Sequence, residues 1–202
     1  TMKIHLTDIP DIVLLTPELI GDARGWLSEV FNRKKLKDLG IESDFFQQNH
    51  SYTKYKGTIR GLHFQKGAYA QAKLVQCVRG SVWNVAVDLR KDSPTFGTYG
   101  AAYLSGLGSS KRGTGCQMYL PRGFAHGYLT LEDHTELQWW VDNDYSREHA
   151  CALRYDSPDI HSSDGKSGIM WDTEKRAGVS MNQSLSFMSE KDKSAPLFFH
   201  NL

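Results

Sequence analysis

The sequence predicts a mainly β protein, an antiparallel β-sandwich or barrel with few short helices. The clearest strand is Val82–Leu89, whose side chains alternate between an apolar and a more polar face, as in a half-buried strand. Further short runs of β-forming residues are separated by Gly, Pro, Asp and Ser clusters at the spacing of a sandwich. These runs are Ile12–Leu15, Ala72–Val78, Tyr99–Leu104, Gln117–Leu120, Gly127–Leu131 and Glu136–Val141.

The sequence contains one clear helical segment and two glycine- and serine-rich segments. Only Arg33–Leu39, which Gly40 ends, has a helical sequence. The segments Ser105–Gly115 and His161–Gly168 are rich in glycine and serine, which predicts exposed loops. Neither loop is long enough to divide the chain, so residues 1–202 are expected to form one domain.

Composition narrows the classes of function. The formal net charge is +1, from 24 basic and 23 acidic side chains, so we expect neither nucleic acid nor an anionic membrane as a partner. No apolar run approaches the ~20 residues that span a bilayer, and no secretion signal is recognisable. Three cysteines without CxxC spacing indicate neither a disulfide framework nor a zinc site. These features predict a cytoplasmic protein.

The stretch Arg60–Gln65 combines reactive side chains with apolar neighbours. In a regular strand Arg60 and His63 point to opposite faces, whereas a twisted or bulged strand brings both to one pocket. Histidine is suited to taking a carbon-bound proton near neutral pH, and a nearby cation holds an anionic substrate group. The stretch therefore indicates an active site. The alternative is a buried histidine bonded to backbone.

A second histidine, His126, lies in Pro121–Gly127, where flanking glycines let a ligand or backbone come close. A metal centre would need several convergent ligands, and the sequence contains no HxH pair. We therefore expect no metal.

Several further motifs occur in order along the chain together with the two histidine stretches. The full set is Gly21–Gly25 with Glu29, Gln47–Ser51, Arg60–Gln65, Lys73–Val75, Val85–Arg90, Ser93–Gly97, Pro121–Gly127 and Ser189–Asp192 before Ala195–Pro196. Taken together, these stretches resemble the dTDP-4-dehydrorhamnose 3,5-epimerase family over nearly the full chain. The resemblance implies a cupin-like jelly roll, a homodimer with strand exchange near the N-terminus, and neither metal nor nicotinamide as cofactor. It implies a nucleotide-diphosphate 4-keto sugar as substrate.

The resemblance assigns three catalytic positions. His63 matches the family's general base, and Asp192 matches the carboxylate that orients its imidazole. The proton lies alpha to the sugar's 4-ketone, and Lys73 matches the residue that stabilises the resulting enolate. Reprotonation on the opposite face inverts the carbon without a redox cofactor.

Substrate-binding positions follow from the same resemblance. They are Arg24, Arg60 and His126 near diphosphate or sugar, Glu29, Gln47 and Asn49 as nucleotide and sugar contacts, Tyr145 stacked on the base, and Lys191 and Trp139 in the pocket. Structural roles are the alternative: a surface ion pair for Arg24 and Glu29, strand-edge bonds for Gln47 and Asn49, a solvated position for Lys73, and rim packing for Tyr145.

One departure from the family pattern concerns the proton donor. Aligned without a gap from Phe124–Gly127, the family's acidic tyrosine falls on Trp139 and the following lysine on Trp140. An indole N–H donates a hydrogen bond but releases no proton at neutral pH. We therefore expect Trp139 to restrict inversion to one carbon, or to leave the second reprotonation to water.

The sequence as a whole predicts an epimerase that inverts carbon 3, carbon 5 or both of a nucleotide-linked 4-keto sugar. Two alternatives remain. A 3,4-ketoisomerase would use the same enolisation, although Lys73 and Asp192 favour the epimerase. A non-catalytic sugar-nucleotide binding protein would keep the pocket without the acid.

Overall fold

A computed structural model describes residues 2–107 and 109–200. The strands are β1 (Lys3–Leu6), β2 (Val13–Thr16), β3 (Ile20–Asp22), β4 (Gly25–Leu27), β5 (Gln47–Thr53), β6 (Ile59–Gln65), β7 (Lys73–Arg79), β8 (Ser81–Asp88), β9 (Thr98–Ser105), β10 (Gln117–Leu120), β11 (Phe124–Thr130), β12 (Thr135–Val141), β13 (Ala150–Ala152) and β14 (His161–Ser162). The α-helices are α1 (Arg33–Asp38), α2 (Thr173–Ala177), α3 (Met181–Phe187) and α4 (Glu190–Lys193). None of these helices is long and apolar enough to cross a membrane.

Two sheets form a sandwich. Within the described residues, the first sheet has the order β1-β2-β10-β7-β12-β5 and the second β13-β6-β11-β8-β9-β14, while β3 and β4 form a separate hairpin. Pairing is antiparallel except between β14 and β9. The mainly β, antiparallel sandwich with few short helices predicted from the sequence is thus confirmed.

Both faces of the second sheet are covered. One face meets the first sheet in a core that includes Val75, Met118, Ala86 and Phe124. The other face packs against the C-terminal segment in a core whose members include Leu62, Val85, Leu129, Trp171, Met188 and Phe198. The expectation of a half-buried β8 was therefore wrong, because Asn84, Ala86 and Asp88 on its more polar face are fully buried. The same covering brings α4 against β6.

The predicted helix Arg33–Leu39 corresponds to α1. Asn32 caps its first turn by accepting the Lys35 N–H, and Gly40 follows its end with φ of +83°. Helices α2 to α4 were not predicted individually. They are at most seven residues long, and the serines that cap α3 and α4 are also common in loops. Strand β5 was missed because polar side chains occupy both of its faces, so hydrophobic alternation is absent.

The end of β8 is held by a buried carboxylate. Asp88 accepts hydrogen bonds from the Arg90, Ser93 and Thr95 side chains. Burial by itself raises the pKa of Asp88, but these donors outweigh burial and lower the pKa to about 2. The network fixes the β8 end beside the part of β11 that carries His126.

Replacing Asp88 by Asn should lower the free energy of unfolding by about 2–4 kcal/mol at neutral pH, because several charge-assisted hydrogen bonds in a buried site are weakened. The depressed pKa means that this stabilisation is present above the unfolded pKa of roughly 4 and is lost as the pH falls toward 2. Urea unfolding at neutral pH and at about pH 3 should show the gap between the two proteins narrowing.

Asp38→Asn is the matched control, since Asp38 is exposed at the end of α1. Its free energy of unfolding should change by less than about 0.5 kcal/mol. An Asp88→Asn loss that is as large at about pH 3 as at neutral pH would show that the ionised carboxylate is not the source of stability.

Candidate active site

A bulge in β6 places Arg60 and His63 on one face. His63 pairs with His126, whereas Arg60 pairs with Tyr128, so three steps along β6 oppose two along β11. Both side chains line a cavity of about 620 Å³, as expected for a bulged strand. The bulge depends on Gly61, which has φ of +108° and whose added Cβ would lie 2.6 Å from the carbonyl oxygen of His126.

His63 is held by a buried carboxylate from α4. The His63 Nε2 lies 2.7 Å from Asp192 Oδ1, and the Gly61 N–H donates to Oδ2 at 3.3 Å. Ser189 accepts the Asp192 N–H at 3.2 Å and so positions the turn. The Asp192 side chain is 6% exposed, while that of His63 is 45% exposed.

These contacts define how the imidazole is oriented. Burial alone raises the pKa of Asp192, but the hydrogen bonds from His63, Gly61 and Ser189 lower it below the ordinary value. The ionised carboxylate only accepts hydrogen bonds, so His63 Nε2 carries the proton that lies between them. The His63 Nδ1 is then the basic nitrogen. Such a pair can remove a proton from a bound substrate.

A second cavity of about 290 Å³ lies between the facing sheets, and His63 belongs to both cavities. Seven of the residues selected from the sequence line the second cavity: Gln47, Asn49, His63, Lys73, Trp139, Tyr145 and Lys191. Arg60 and Asp192 line the first cavity, which also contains Lys191. The fold therefore places nine of the twelve selected residues, His63 included, in the walls of these two cavities.

The electrostatics of this region are set by burial. Lys73, on β7, is 8% exposed, so it is not the solvated strand residue of the structural alternative. Burial lowers its pKa to about 8, although the nearby Asp142 carboxylate opposes the shift. Because this pKa lies above neutral pH, the cationic form of Lys73 still predominates there. A cation is therefore buried in the wall opposite β6.

The structure places His126 behind the site. It lines neither cavity, and its Nε2 lies 2.8 Å from Asn84 Oδ1 in the interior. Burial, followed by the charges of Lys73 and His63, lowers the His126 pKa well below its ordinary value. His126 is therefore enclosed and lines neither cavity of the single chain, and its contact with a diphosphate or sugar stays a prediction.

Arg24 and Glu29 also lie away from both cavities in the single chain. Arg24 is 90% exposed on the β3–β4 hairpin and is paired with Asp22. Glu29 pairs with Lys35 at 2.6 Å, beside the start of α1. The Arg24–Glu29 ion pair of the structural alternative is therefore not among the contacts of either residue, which instead use their own sequence neighbours.

The adjacent residues Trp139 and Trp140 on β12 point to opposite faces of the strand and have different neighbours. Trp139 lies between Asn49 of β5 and Val75 of β7 and lines the second cavity. Trp140 points the other way and stacks on Phe31, with ring centroids 5.3 Å apart. The indole of Trp139 thus occupies the wall position where the sequence alignment expects the acidic tyrosine.

Some cavity residues escaped the sequence analysis. Tyr55 and Phe187 stack with centroids 5.0 Å apart in the first cavity, but no spacing in the sequence connects them. Gln65 was recognised only as part of a motif. Its side chain bonds the carbonyl of Asp144 at 2.9 Å and the N–H of Ser146 at 2.7 Å, thereby holding the loop that carries Tyr145.

The described side chains form no evident metal centre. No group of three or more His, Cys, Asp or Glu residues in 2–107 and 109–200 could hold a metal ion. His63 and His126 face each other across two strands, but their nitrogens bond Asp192 and Asn84 instead. The donor set around His63 is that of an acid–base site.

Comparison with known proteins extends over nearly the whole chain. The family model described as dTDP-4-dehydrorhamnose 3,5-epimerase matches residues 6–200. Over 197 residues the chain is 40% identical to the dTDP-4-dehydrorhamnose 3,5-epimerase of Salmonella typhimurium, with 97% of this chain and 95% of the relative covered.

Solved structures show the same likeness. The dTDP-4-dehydrorhamnose 3,5-epimerase of Bacillus anthracis, with TDP and PPi bound, superposes with a TM-score of 0.82 at 38% identity, covering 98% of this chain and 99% of the other. The dTDP-6-deoxy-D-glucose-3,5-epimerase of Legionella pneumophila, in complex with dTDP-4-keto-L-rhamnose, gives 0.84 at 32%, covering 100% and 95%. The cupin-like fold implied by the motifs is confirmed, and the chain belongs to the dTDP-4-dehydrorhamnose 3,5-epimerase family.

Proposed function

We propose that this protein is an isomerase that inverts carbon 3, carbon 5 or both of a dTDP-linked 4-keto-6-deoxy sugar. The observation that carries the proposal is the His63–Asp192 pair, whose imidazole borders a cavity with Lys73 in the opposite wall. The relatives act on, or are solved with, thymidine-diphosphate sugars, which supports this substrate class.

The first chemical step is proton abstraction alpha to the ketone. His63 Nδ1 takes the proton, and Asp192 stabilises the imidazolium through the Nε2 hydrogen bond. Negative charge collects on the ketone oxygen as the enolate forms. The ammonium of Lys73, which is buried in the cavity wall, stabilises this charge. The second step returns a proton to the carbon, and inversion requires that this proton arrive on the other face.

Binding of the nucleotide is assigned to both cavities. Arg60 and Lys191 border the larger cavity beside His63 and provide positive charge for a diphosphate. Gln47 and Asn49 offer amide groups to the sugar in the smaller cavity, where Tyr145 supplies an aromatic ring at the rim. These roles are proposed from side-chain type and position.

Incubation with several nucleotide-linked 4-keto sugars in heavy water tests the function. Solvent deuterium should enter carbon 3, carbon 5 or both, and NMR should locate the label and the configuration at each carbon. Label at one inverted carbon only would agree with the expected effect of Trp139. A product with the carbonyl moved to carbon 3 would identify a ketoisomerase, and binding without any exchange would identify a non-catalytic binding protein.

We expect His63→Ala to lower turnover by roughly 10²- to 10⁴-fold, the usual contribution of a positioned general base. Asp192→Asn should also lower turnover, because an amide stabilises the imidazolium less well and permits the wrong tautomer. Steady-state kinetics, with circular dichroism to verify folding, measure both effects. His161→Ala, on strand β14, is the control and should keep normal turnover. Near-normal exchange by His63→Ala would remove His63 from the mechanism.

Exhaustive chelation should leave turnover unchanged, because we propose that cationic side chains, rather than a metal ion, stabilise the enolate. The measurement is the epimerisation rate after dialysis against a strong chelator, followed by addition of zinc, iron or manganese. A rate that falls on dialysis and returns with one of these metals would contradict the proposal.

We propose further that the active unit is a homodimer. The β3–β4 hairpin exposes Ile20, Trp26 and Leu27 at 65%, 52% and 70%, and Leu6 on edge strand β1 is 76% exposed. Exposed apolar side chains on a hairpin and an edge strand are typical of an interface. In a dimer with an exchanged N-terminal region, Arg24 and Glu29 would complete the pocket of the neighbouring chain.

Light scattering at micromolar concentration should give the mass of two chains. The shared pocket is tested by mixing two weak variants, His63→Ala and Arg24→Ala, after denaturation and joint refolding. A mixed dimer has one pocket with both residues intact, so turnover should rise above that of either variant alone. Each variant refolded by itself is the control. A monomer, or a mixture no more active than its parts, would contradict the exchanged arrangement.

We also propose a cytoplasmic location and one domain over residues 1–202. Cys77, Cys116 and Cys151 are all free, as is usual in a reducing compartment. The N-terminal strands and the C-terminal helices pack on the same sandwich, which supports a single domain.

A further inference from the structure

Inversion needs two proton-transferring groups on opposite faces of the sugar. His63 is on β6 of the second sheet, so its partner must come from the first sheet or from the rim of the cavity. Trp139 is in that facing wall, but its indole does not release a proton at neutral pH. The acid is therefore another group of this cavity or water.

The titratable side chains of the cavity divide by wall. Cys151 lies on β13 and Lys191 on α4, both on the side of the cavity that carries His63. Tyr145 lies on a loop at the rim and is 65% exposed. Among the described residues that line this cavity from the first sheet, Lys73 is the one with an ionisable proton, and the others are Gln47, Asn49 and Trp139.

We propose that Lys73 Nζ is the acid of this protein, delivering the proton that inverts the sugar carbon from the face opposite His63. This inference rests on the proposed epimerase activity. In the first step the carbon–hydrogen bond breaks, its proton bonds to His63 Nδ1, and the electron pair passes into the enolate. In the second step an N–H bond of the Lys73 ammonium breaks and a carbon–hydrogen bond forms on the other face. The imidazolium then releases its proton to solvent and the Lys73 amine takes one up, so both groups are reset without an oxidant or reductant.

The surroundings of Lys73 fit a group that gives up a proton. It is 8% exposed, and its burial lowers its pKa to about 8. Among the described residues, the Asp142 carboxylate after β12 acts on the charge of Lys73, and that charge in turn lowers the pKa of His126 on the second sheet. His63 lines the same cavity as Lys73. Asp142 is engaged by Arg122, whose Nε lies 2.9 Å from its Oδ2. Within residues 2–107 and 109–200, Lys73 therefore forms no ion pair with a carboxylate that would hold its proton.

The Lys73→Arg substitution distinguishes proton donation by Lys73 from stabilisation of the enolate by its positive charge. An arginine keeps a cation beside the enolate but does not release a proton at accessible pH. We expect the variant to exchange deuterium from heavy water with configuration retained, since His63 returns label to the face it deprotonates. The ratio of inverted to total labelled product should fall at least roughly tenfold. Lys66→Arg, at an exposed position just after β6, is the matched control and should keep the ratio.

The native enzyme supplies a second, independent measure. Its ratio of inverted to total labelled product should fall as the pH rises through about 8, because the Lys73 ammonium is lost. If Lys73→Arg neither exchanges nor inverts, this pH profile decides the question. A Lys73→Arg variant that inverts as often as the native enzyme, or a native ratio that stays level across this range, would overturn the inference. Absence of exchange by the native enzyme on every substrate would instead refute the proposed function.

Discussion

The arrangement of the site depends on the hydrogen bond between His63 and Asp192, two residues that are far apart in the sequence. The packing of the C-terminal segment and the bulge in β6 allow this bond to form. One partner is on β6, next to the edge strand β13 of the second sheet, and the other is on the four-residue helix α4, 129 residues further along the chain. The carboxylate is buried, so it needs hydrogen-bond partners, and His63 and Gly61 provide them, while Ser189 accepts the backbone N–H of Asp192. The apolar packing of the C-terminal segment on the outer face of the sheet supplies the energy that keeps this charge in place.

The bulge in β6 is the backbone counterpart of this contact. It turns Arg60 and His63 to the same side, and it requires a residue without a Cβ at position 61, where the strand approaches the backbone of β11. The same glycine donates its N–H to Asp192. A single residue thus shapes the strand, admits close packing and helps to orient the His63 imidazole through Asp192.

The two facing sheets also determine where the basic side chains lie relative to the cavities. His63 and Lys73 project from different sheets, so the cavity between them has an imidazole on one side and a cation on the other. His126 is next to His63 but is enclosed and bonded to Asn84, and the depressed pKa keeps it uncharged. The site therefore holds its positive charge at Lys73, Arg60 and Lys191, which lie toward the cavities. Trp139 forms part of the cavity wall but has no group that releases a proton at neutral pH.

The mainly β fold and the family could be predicted from the amino-acid sequence, and the reactive residues could be proposed from it, because strand periodicity and short ordered motifs are local properties of the chain. It could not determine that β8 is buried on both faces, since the cover comes from residues after 160 that have no periodic relation to it. Likewise, Asp192 could be matched by motif, but only the packing of α4 on β6 decides that its carboxylate meets Nε2 and leaves Nδ1 free. The tertiary structure alone decided that Lys73 is buried, that His126 is withdrawn, and that Arg24 and Glu29 lie outside the single-chain pocket. Burial and the distance between remote residues depend on how the layers stack, and no local pattern in a chain records that stacking.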